Sequence, residues 1–202
     1  MARDLRPKHK LCRKYGEKLC DSPKCPLTKR SYPPGVHGPN KKHIKLSGFA
    51  KQLREKQKVK RIYGILERQF SNYVAEASKK TGDTSKILLT YLESRLDNVV
   101  YRAGLALSRA AARQLVSHGH VNINGEKVDI PSYRVKVGEQ VSVADKTKKS
   151  KLFENATETI SKKEMPAWIS VDAKNLSAKI LNSPTVEHPN FDANTIIGFY
   201  SR

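Results

Sequence analysis

Four side chains near the N-terminus have the types and the spacing that metal chemistry requires. His9 and Cys12 are separated by two residues and Cys20 and Cys25 by four, with a short basic loop between the pairs. Imidazole nitrogen and thiolate sulfur are donors in structural zinc sites, and four donors close a tetrahedral site. We therefore expect one zinc ion at His9, Cys12, Cys20 and Cys25. The alternative is a set of reduced thiols beside an incidental histidine.

Arginine is the second type of residue that suggests chemistry, because its guanidinium forks onto phosphates and stacks on bases. Residues 95–102 and 108–116 are predicted to form two amphipathic helices joined by a turn at Gly104, with Ser108 as N-cap of the second helix. One face of each helix should pack and the other should be free to bind. The candidate RNA-binding residues here are Arg95, Asn98, Arg102, Ser108, Arg109, Arg113 and Gln114.

Short strands are predicted after these helices. Residues 121–128 alternate apolar and polar side chains across Asn124-Gly125, a pair that favours a tight hairpin, and residues 135–143 give a further turn and strand. Two helices on a small sheet, in this order, resemble the αL RNA-binding motif. The resemblance implies RNA binding and adds two candidate residues before the first strand, His118 and His120.

A long basic helix is predicted between Phe49 and Lys80. Its apolar residues recur at three- and four-residue spacing from Val59 to Ala77, so one side should be buried. Basic residues occupy the rest of the cylinder, where they can neutralise phosphates. These candidates are Arg54, Lys56, Lys58, Lys60, Arg61 and Arg68.

The charge balance indicates a polyanionic partner. The 202 residues include 39 lysines and arginines against 19 acids, a formal charge of +20. Residues 1–60 have 18 basic residues against four acids, a net charge of +14 by subtraction. Nucleic acid is the first candidate for such a partner. No apolar run approaches membrane-spanning length and no signal peptide is evident, so we expect a cytoplasmic protein with no membrane partner.

Three segments carry a more specific resemblance. Residues 53–70, the turn from Tyr32 to Gly38, and residues 95–102 resemble the bacterial-type ribosomal protein four of the small subunit, the S-four family. The resemblance extends to the closing Phe199-Tyr-Ser-Arg202. It implies an α+β fold with a mainly helical basic domain, an inserted αL module and an extended N-terminal arm, and a structural role in the ribosome without enzymatic activity.

The family resemblance also implies partners and a cofactor. The expected main partner is small-subunit rRNA, bound at a multi-helix junction of the 5′ domain so that binding nucleates assembly. Incoming messenger RNA and the neighbouring small-subunit proteins at the messenger entrance are further expected partners, with a contribution to decoding accuracy, and no homo-oligomer is expected. Some members have a four-cysteine zinc site at the positions of His9, Cys12, Cys20 and Cys25, with a longer loop between the pairs.

A messenger-facing role is implied for three lysines. In the family the loop after the Pro-Pro-Gly turn lies near the messenger entrance, which assigns Lys41, Lys42 and Lys45 to its lining. A cationic segment with no apolar face can follow a moving strand without reading its sequence. The alternative is that these lysines bind rRNA phosphates statically.

Three domains are predicted along the chain. Residues 1–48 form the basic arm with the possible zinc site, residues 49–93 the helical domain, and residues 94–151 the αL module. By the resemblance alone, residues 152–202 return to complete the helical domain, and residues 152–163 can form a polar helix.

Two other function classes remain as alternatives. An RNA-modifying enzyme is the first, because pseudouridine synthases carry αL modules and have Arg-Leu-Asp around their catalytic aspartate. Here Asp97 lies within a predicted helix, where we expect it to be a surface partner of an arginine, and no separate catalytic domain remains. A DNA-binding regulator is the second, but basic charge spread along the whole chain does not favour it.

Overall fold

The computed structural model describes residues 6–20, 22, 24–40, 45–148, 150, 153, 160, 164–185 and 191–201. The chain divides into two compact units, with residues 1–85 and 188–202 in unit 1 and residues 86–187 in unit 2. The described helices are α1 (Lys8–Tyr15), α2 (Gly48–Tyr63), α3 (Glu67–Ser78), α4 (Thr84–Glu93), α5 (Leu96–Arg102), α6 (Arg109–Ser117), α7 (Asp145–Lys148) and α8 (Ala193–Tyr200). The described strands are β1 (Val121–Ile123), β2 (Glu126–Lys127), β3 (Gln140–Val143), β4 (Ile169–Asp172) and β5 (Ser177–Ile180).

The single helix predicted between Phe49 and Lys80 is in fact two helices, so its continuity was wrong. Gly64 has a left-handed backbone with φ of 65°, and its N–H donates to the carbonyl of Lys60, which ends α2. Glycine adopts this conformation without strain, whereas a side chain resists it. The chain then turns, and α3 begins at Glu67.

Helix α8 packs on α2 and α3 in unit 1. The ring centroids of Phe199 and Phe49 are 5.6 Å apart, and those of Tyr200 and Phe70 are 6.1 Å apart. Phe70 is fully buried. The end of the chain is therefore held in the helical unit by aromatic contacts, which bury large apolar areas.

An antiparallel sheet in the order β2-β1-β3-β5-β4 packs beneath α5 and α6 in unit 2. The predicted hairpin is confirmed, since β1 pairs with β2 and both Asn124 and Gly125 have positive φ, as the tight turn requires. Apolar side chains from both layers form one buried cluster, including Val99, Val116 and Val141. The predicted α+β class is confirmed as well.

The C-terminal third of the chain differs from its predicted placement. Strands β4 and β5 join the sheet of unit 2, where Val141 of β3 pairs with Ala178 of β5. Residues 169–180 therefore do not complete the helical domain, and only residues 191–201 pack there. The reason is hydrophobic: Trp168, Ile169 and Ile180 are buried in the same cluster as α5 and α6.

The polar helix expected from residues 152–163 falls almost wholly outside the described residues. Only Phe153 and Ile160 are described, and both are buried in the unit 2 cluster. Among the ranges that the structure covers, no helix combines the length and the apolar character needed to cross a membrane.

Candidate nucleic-acid interface and metal centre

A buried carboxylate organises the arginine-bearing helices of unit 2. Glu93 ends α4 and is fully buried. Its Oε1 accepts from Arg102 Nη2 at 2.7 Å, and its Oε2 accepts from Arg102 Nε at 2.9 Å and from Asn98 Nδ2 at 2.6 Å. A buried carboxylate is stable only when its acceptor sites are filled in this way. Glu93 therefore fixes the side chains of both residues.

Arg95 and Asn98 do not lie on an exposed flank as the sequence analysis expected, because both side chains are buried. Arg95 is 0% exposed and donates from Nε and Nη2 to the two carboxylate oxygens of Asp97, at 3.0 and 2.7 Å. Asn98 is 2% exposed and bridges Glu93 to Arg109. Their physical role is to satisfy buried acids, since an unpaired charge in this position would be strongly destabilising.

Three arginines lie above this buried layer. Arg102 keeps about a third of its side chain exposed while its fork contacts Glu93. Arg109 donates from Nε to Asn98 Oδ1 at 2.9 Å, and its guanidinium carbon lies 4.5 Å from the centroid of the Tyr101 ring. Arg113 reaches Asp97 Oδ2 at 3.4 Å. The three side chains are thus held in defined orientations across α5 and α6.

The other predicted residues of this module have mixed roles. The hydroxyl of Ser108 accepts from the N–H of Ala111 at 3.2 Å, which confirms its capping role and engages the hydroxyl within the helix. Gln114 and His118 are exposed. His120 is half-buried, and its Nδ1 lies 2.9 Å from Thr147 Oγ1. Asp97 is an arginine partner as expected, but it is buried and not a surface residue.

The lysines of α2 are also buried, although the sequence analysis expected them to be exposed. Lys56, Lys58 and Lys60 are each about 95% buried. Lys56 and Lys60 donate to the two oxygens of Glu67 at 2.8 and 2.5 Å, and Lys58 pairs with Glu17. These ammonium groups form ion pairs within unit 1 and are not the exposed cations that the sequence analysis expected. Sequence analysis missed Glu67, although it is the first acid after the basic run.

The pKa of Glu67 is lowered by its contacts with these lysines. Burial alone would raise the pKa of Glu67, but hydrogen bonds from Lys56, Lys60 and Tyr200 outweigh it and lower the pKa to about 2. The Tyr200 hydroxyl donates to Glu67 Oε1 at 2.6 Å. Burial and this carboxylate together raise the pKa of Tyr200 above its ordinary value.

The arginines of α2 and α3 have separate surroundings. Arg54 donates to the backbone carbonyl of Tyr15 and lies over that ring, with 5.7 Å to its centroid. Arg61 is half-buried and Arg68 is exposed. Burial raises the pKa of Tyr15, although the charges of Arg61 and Arg54 oppose this shift. Of the predicted set in unit 1, Arg68 is thus the one that the structure leaves exposed.

The predicted metal ligands converge in unit 1. Helix α1 places His9 and Cys12 one turn apart, and a left-handed Gly16 turns the chain back towards Cys20. The donor atoms of His9, Cys20 and Cys25 all lie within 4.8 Å of one another. Cys12 is outside this close set but is buried in the same cluster, where its sulfur accepts from the N–H of Leu19 at 3.3 Å.

One donor pair of this cluster has the separation that tetrahedral zinc requires. With bond lengths of about 2.0 to 2.3 Å, donors around tetrahedral zinc lie roughly 3.3 to 3.8 Å apart. The Cys20 sulfur lies 3.7 Å from His9 Nδ1. Burial raises the pKa of Cys25, but hydrogen bonds from the Leu27 backbone, His9 and the other cysteines outweigh it and lower the pKa to about 7. Burial raises the pKa of Cys20 to about 11.

The structure describes one of the three lysines that are expected to face the messenger. Lys41 and Lys42 lie outside the described residues. Lys45 is exposed, in irregular chain just before Ser47, whose hydroxyl caps α2 by accepting from Ala50 N–H. The preceding turn is held by Arg13, which donates to the carbonyls of Tyr32 and Pro33 at 3.0 and 3.2 Å.

Comparison with known families gives matches along most of the chain. Residues 3–93 match the family described as ribosomal protein S4/S9 N-terminal domain, and residues 94–141 match the S4 domain family. The small ribosomal subunit protein uS4 of Thermus thermophilus is 47% identical over 210 aligned positions, covering 100% of both chains. Proteins of the same name from Acetivibrio thermocellus and Thermotoga petrophila are 48% and 46% identical, again over 100% of both chains. The chain therefore belongs to the uS4 family of small ribosomal subunit proteins.

Proposed function

We propose that the protein is a structural, rRNA-binding component of the small ribosomal subunit. The observation that carries this proposal is the set of arginines across α5 and α6, whose orientations are fixed by the buried carboxylates of Glu93 and Asp97. The full-length similarity to proteins named for the small ribosomal subunit supports the same role.

The electrostatics of this face suit a phosphate backbone. Arg95, Arg102 and Arg113 contact the carboxylates of Glu93 and Asp97, and Arg109 is joined to Glu93 through Asn98, so arginines outnumber acids among these contacts. Planar guanidinium groups match phosphate geometry, and side chains that are already ordered lose less conformational entropy on binding. The remaining basic residues add non-specific attraction that weakens with salt.

The finer parts of the proposal rest on the family. They are binding at a multi-helix junction of the 5′ domain of small-subunit rRNA, nucleation of assembly, and an influence on decoding accuracy. The family is one of ribosomal proteins, which supports a non-enzymatic role in the cytoplasm. Neighbouring small-subunit proteins are the protein partners that this role requires.

The α5–α6 face can be tested with Arg109→Ala. We expect a loss of about 1 to 3 kcal/mol in binding to a transcript of the small-subunit rRNA 5′ domain, because one ordered guanidinium is removed. Affinity is measured by filter binding at one fixed salt concentration. Emission of Trp168, the one tryptophan, which is buried in unit 2, should show that the fold is retained.

A matched control for this variant is Arg134→Ala. Arg134 also lies over a tyrosine ring in unit 2, with 4.0 Å to the centroid of Tyr91, but it belongs to neither α5 nor α6. It should bind rRNA like the unchanged protein. Unchanged affinity in Arg109→Ala, or equal losses in both variants, would contradict the assignment of this face.

We also propose that His9, Cys12, Cys20 and Cys25 hold one structural zinc ion. The convergence of three donors and the burial of the fourth support this set. Bound zinc would supply a cross-link between α1 and the segment around Cys20 and Cys25, in a part of the chain with little apolar surface to bury. Helix α1 supplies His9 and Cys12, and the chain after it supplies Cys20 and Cys25.

Metal analysis tests the zinc proposal. Protein washed with a weak chelator should retain about one zinc per chain, and Cys20→Ser should lose it, because structural sites bind zinc tightly at neutral pH. Amide hydrogen exchange over residues 8–29 should rise in the same variant. His37→Ala, which changes an exposed histidine outside the cluster, should do neither. Zinc-free protein with full protection of residues 8–29 would refute the proposal.

A messenger-facing role for Lys41, Lys42 and Lys45 is proposed from the family and from the exposure of Lys45. Changing all three to alanine should leave subunit assembly near normal but slow translation through a stable hairpin more than through an unstructured message, because the cationic lining is lost. Single-message translation rates measure this difference. Equal slowing on both messages, or failed assembly, would instead place these lysines in contact with rRNA.

A further inference from the structure

A half-open cavity of about 710 Å³ lies in unit 2, beside the segment that follows α6. Three segments form its walls. Gly119 and His120 come from the segment after α6, Asn122 and Lys127 come from the β1–β2 hairpin, and the third wall is α7. This volume is within the range of pockets that hold small organic ligands. It is large enough for one nucleotide.

The walls of the cavity are tied together by hydrogen bonds. The N–H of Ala144 donates to the carbonyl of His120 at 3.0 Å, and His120 Nδ1 lies 2.9 Å from the buried Thr147 hydroxyl. These bonds join the start of α7 to the end of α6 and use one of the two ring nitrogens of His120. The cavity is thus a preformed feature of the fold and its imidazole has a fixed place in the wall.

The charge within the cavity is positive. Among the part of the chain that the structure describes, no carboxylate pairs with Lys127 or Lys146. The single acid in the wall, Asp145, is engaged by Lys148 at 2.8 Å. Two ammonium groups therefore remain to attract an anion, and phosphate is the anion whose charge and size suit a pair of lysines.

Gly119 has a specific part in positioning one of these lysines. A Cβ at Gly119 would lie 2.1 Å from Cε and 2.6 Å from Nζ of Lys127, so the lysine side chain occupies the space that a larger residue would need. The ammonium consequently rests beside the C-terminal end of α6, where the helix dipole favours a cation. The backbone at Gly119, with φ of 71°, also suits glycine.

We propose that this cavity binds one nucleotide of RNA, with its phosphate on Lys127 and Lys146 and its base beside His120 and Asn122. Cations at a cavity with an aromatic ring and an amide offer both charge neutralisation and base contacts, which is how proteins hold unstacked nucleotides. The inference rests on the proposed rRNA-binding function and names a second contact of unit 2 with RNA.

Three substitutions test the cavity in the full-length protein. Lys127→Ala and Lys146→Ala should each weaken binding to the 5′-domain transcript by about tenfold or less and lower the salt slope by about one, because each removes a phosphate contact. Ala144→Phe fills the cavity without changing the charge of the protein, and should weaken binding about tenfold and also lower the salt slope, because the phosphate of the excluded nucleotide no longer reaches the two lysines. Lys136→Ala is the control. Lys136 is exposed and precedes β3, whereas the cavity lies at the end of β3 that leads into α7, so this change should have no effect on binding.

Binding of Ala144→Phe equal to that of the unchanged protein would overturn the proposal, because no nucleotide would then enter the cavity. Failure of the unchanged protein to bind the transcript would instead refute the proposed function itself. Mass spectrometry of ultraviolet cross-links in the unchanged complex decides the point independently of variant stability. A nucleotide attached within residues 119–127 or 144–148 is expected, and none there would contradict the proposal.

A free nucleotide is the alternative occupant of the cavity, because it carries the same phosphate and base. Titration with adenosine monophosphate, followed by chemical shifts of the His120 ring, should show millimolar binding at best, because a single nucleotide lacks the remaining RNA contacts. Saturation at micromolar concentration would assign the cavity to a free nucleotide and would overturn the assignment to RNA.

Discussion

The burial of Glu93 is the constraint on which the proposed RNA-binding face depends. Removing a carboxylate from water is unfavourable by several kcal/mol unless its oxygens are filled by charged or amide donors. In unit 2 those donors are Arg102 and Asn98, and Asn98 in turn accepts from Arg109. Glu93 therefore fixes the orientations of Arg102 and Asn98 directly, and that of Arg109 through Asn98. Asp97 does the same for Arg95 and Arg113.

Ion pairing also sorts the basic residues of unit 1, although the acids there are exposed. Glu67, which is itself exposed, accepts from the buried Lys56 and Lys60 and from Tyr200, and Glu17 pairs with Lys58. In a chain with a formal charge of +20, the acids are the scarce groups. Their positions decide which cations stabilise the fold and which remain for a polyanion. Counting lysines and arginines along the sequence therefore overestimates the surface available to RNA.

Periodicity and turn chemistry predicted much of the architecture. The helices on either side of Gly104, the cap at Ser108 and the Asn124-Gly125 hairpin follow from local patterns, and the structure has all of them. The burial of Arg95 was not predictable in this way, because a helical pattern assigns every charged residue to the outside. The placement of β4 and β5 was not predicted. A local signal was present, because Ile169-Ser-Val-Asp172 alternates and a polar turn follows. The family resemblance had instead assigned residues 152–202 to the helical domain. The convergence of His9 with the cysteines, by contrast, was visible in their spacing.

A double-mutant cycle between Glu93 and Arg102 tests the central claim most directly. Equilibrium affinity for the 5′-domain transcript would be measured for Glu93→Gln, Arg102→Gln and the double variant, each with Trp168 emission of the folded protein. If the buried acid acts by orienting the arginine, each single change should weaken binding by about tenfold and the double change by little more than either, because both remove the same positioned group. Losses that multiply to about a hundredfold would mean that the two residues act independently. That result would contradict an RNA-binding face organised by Glu93.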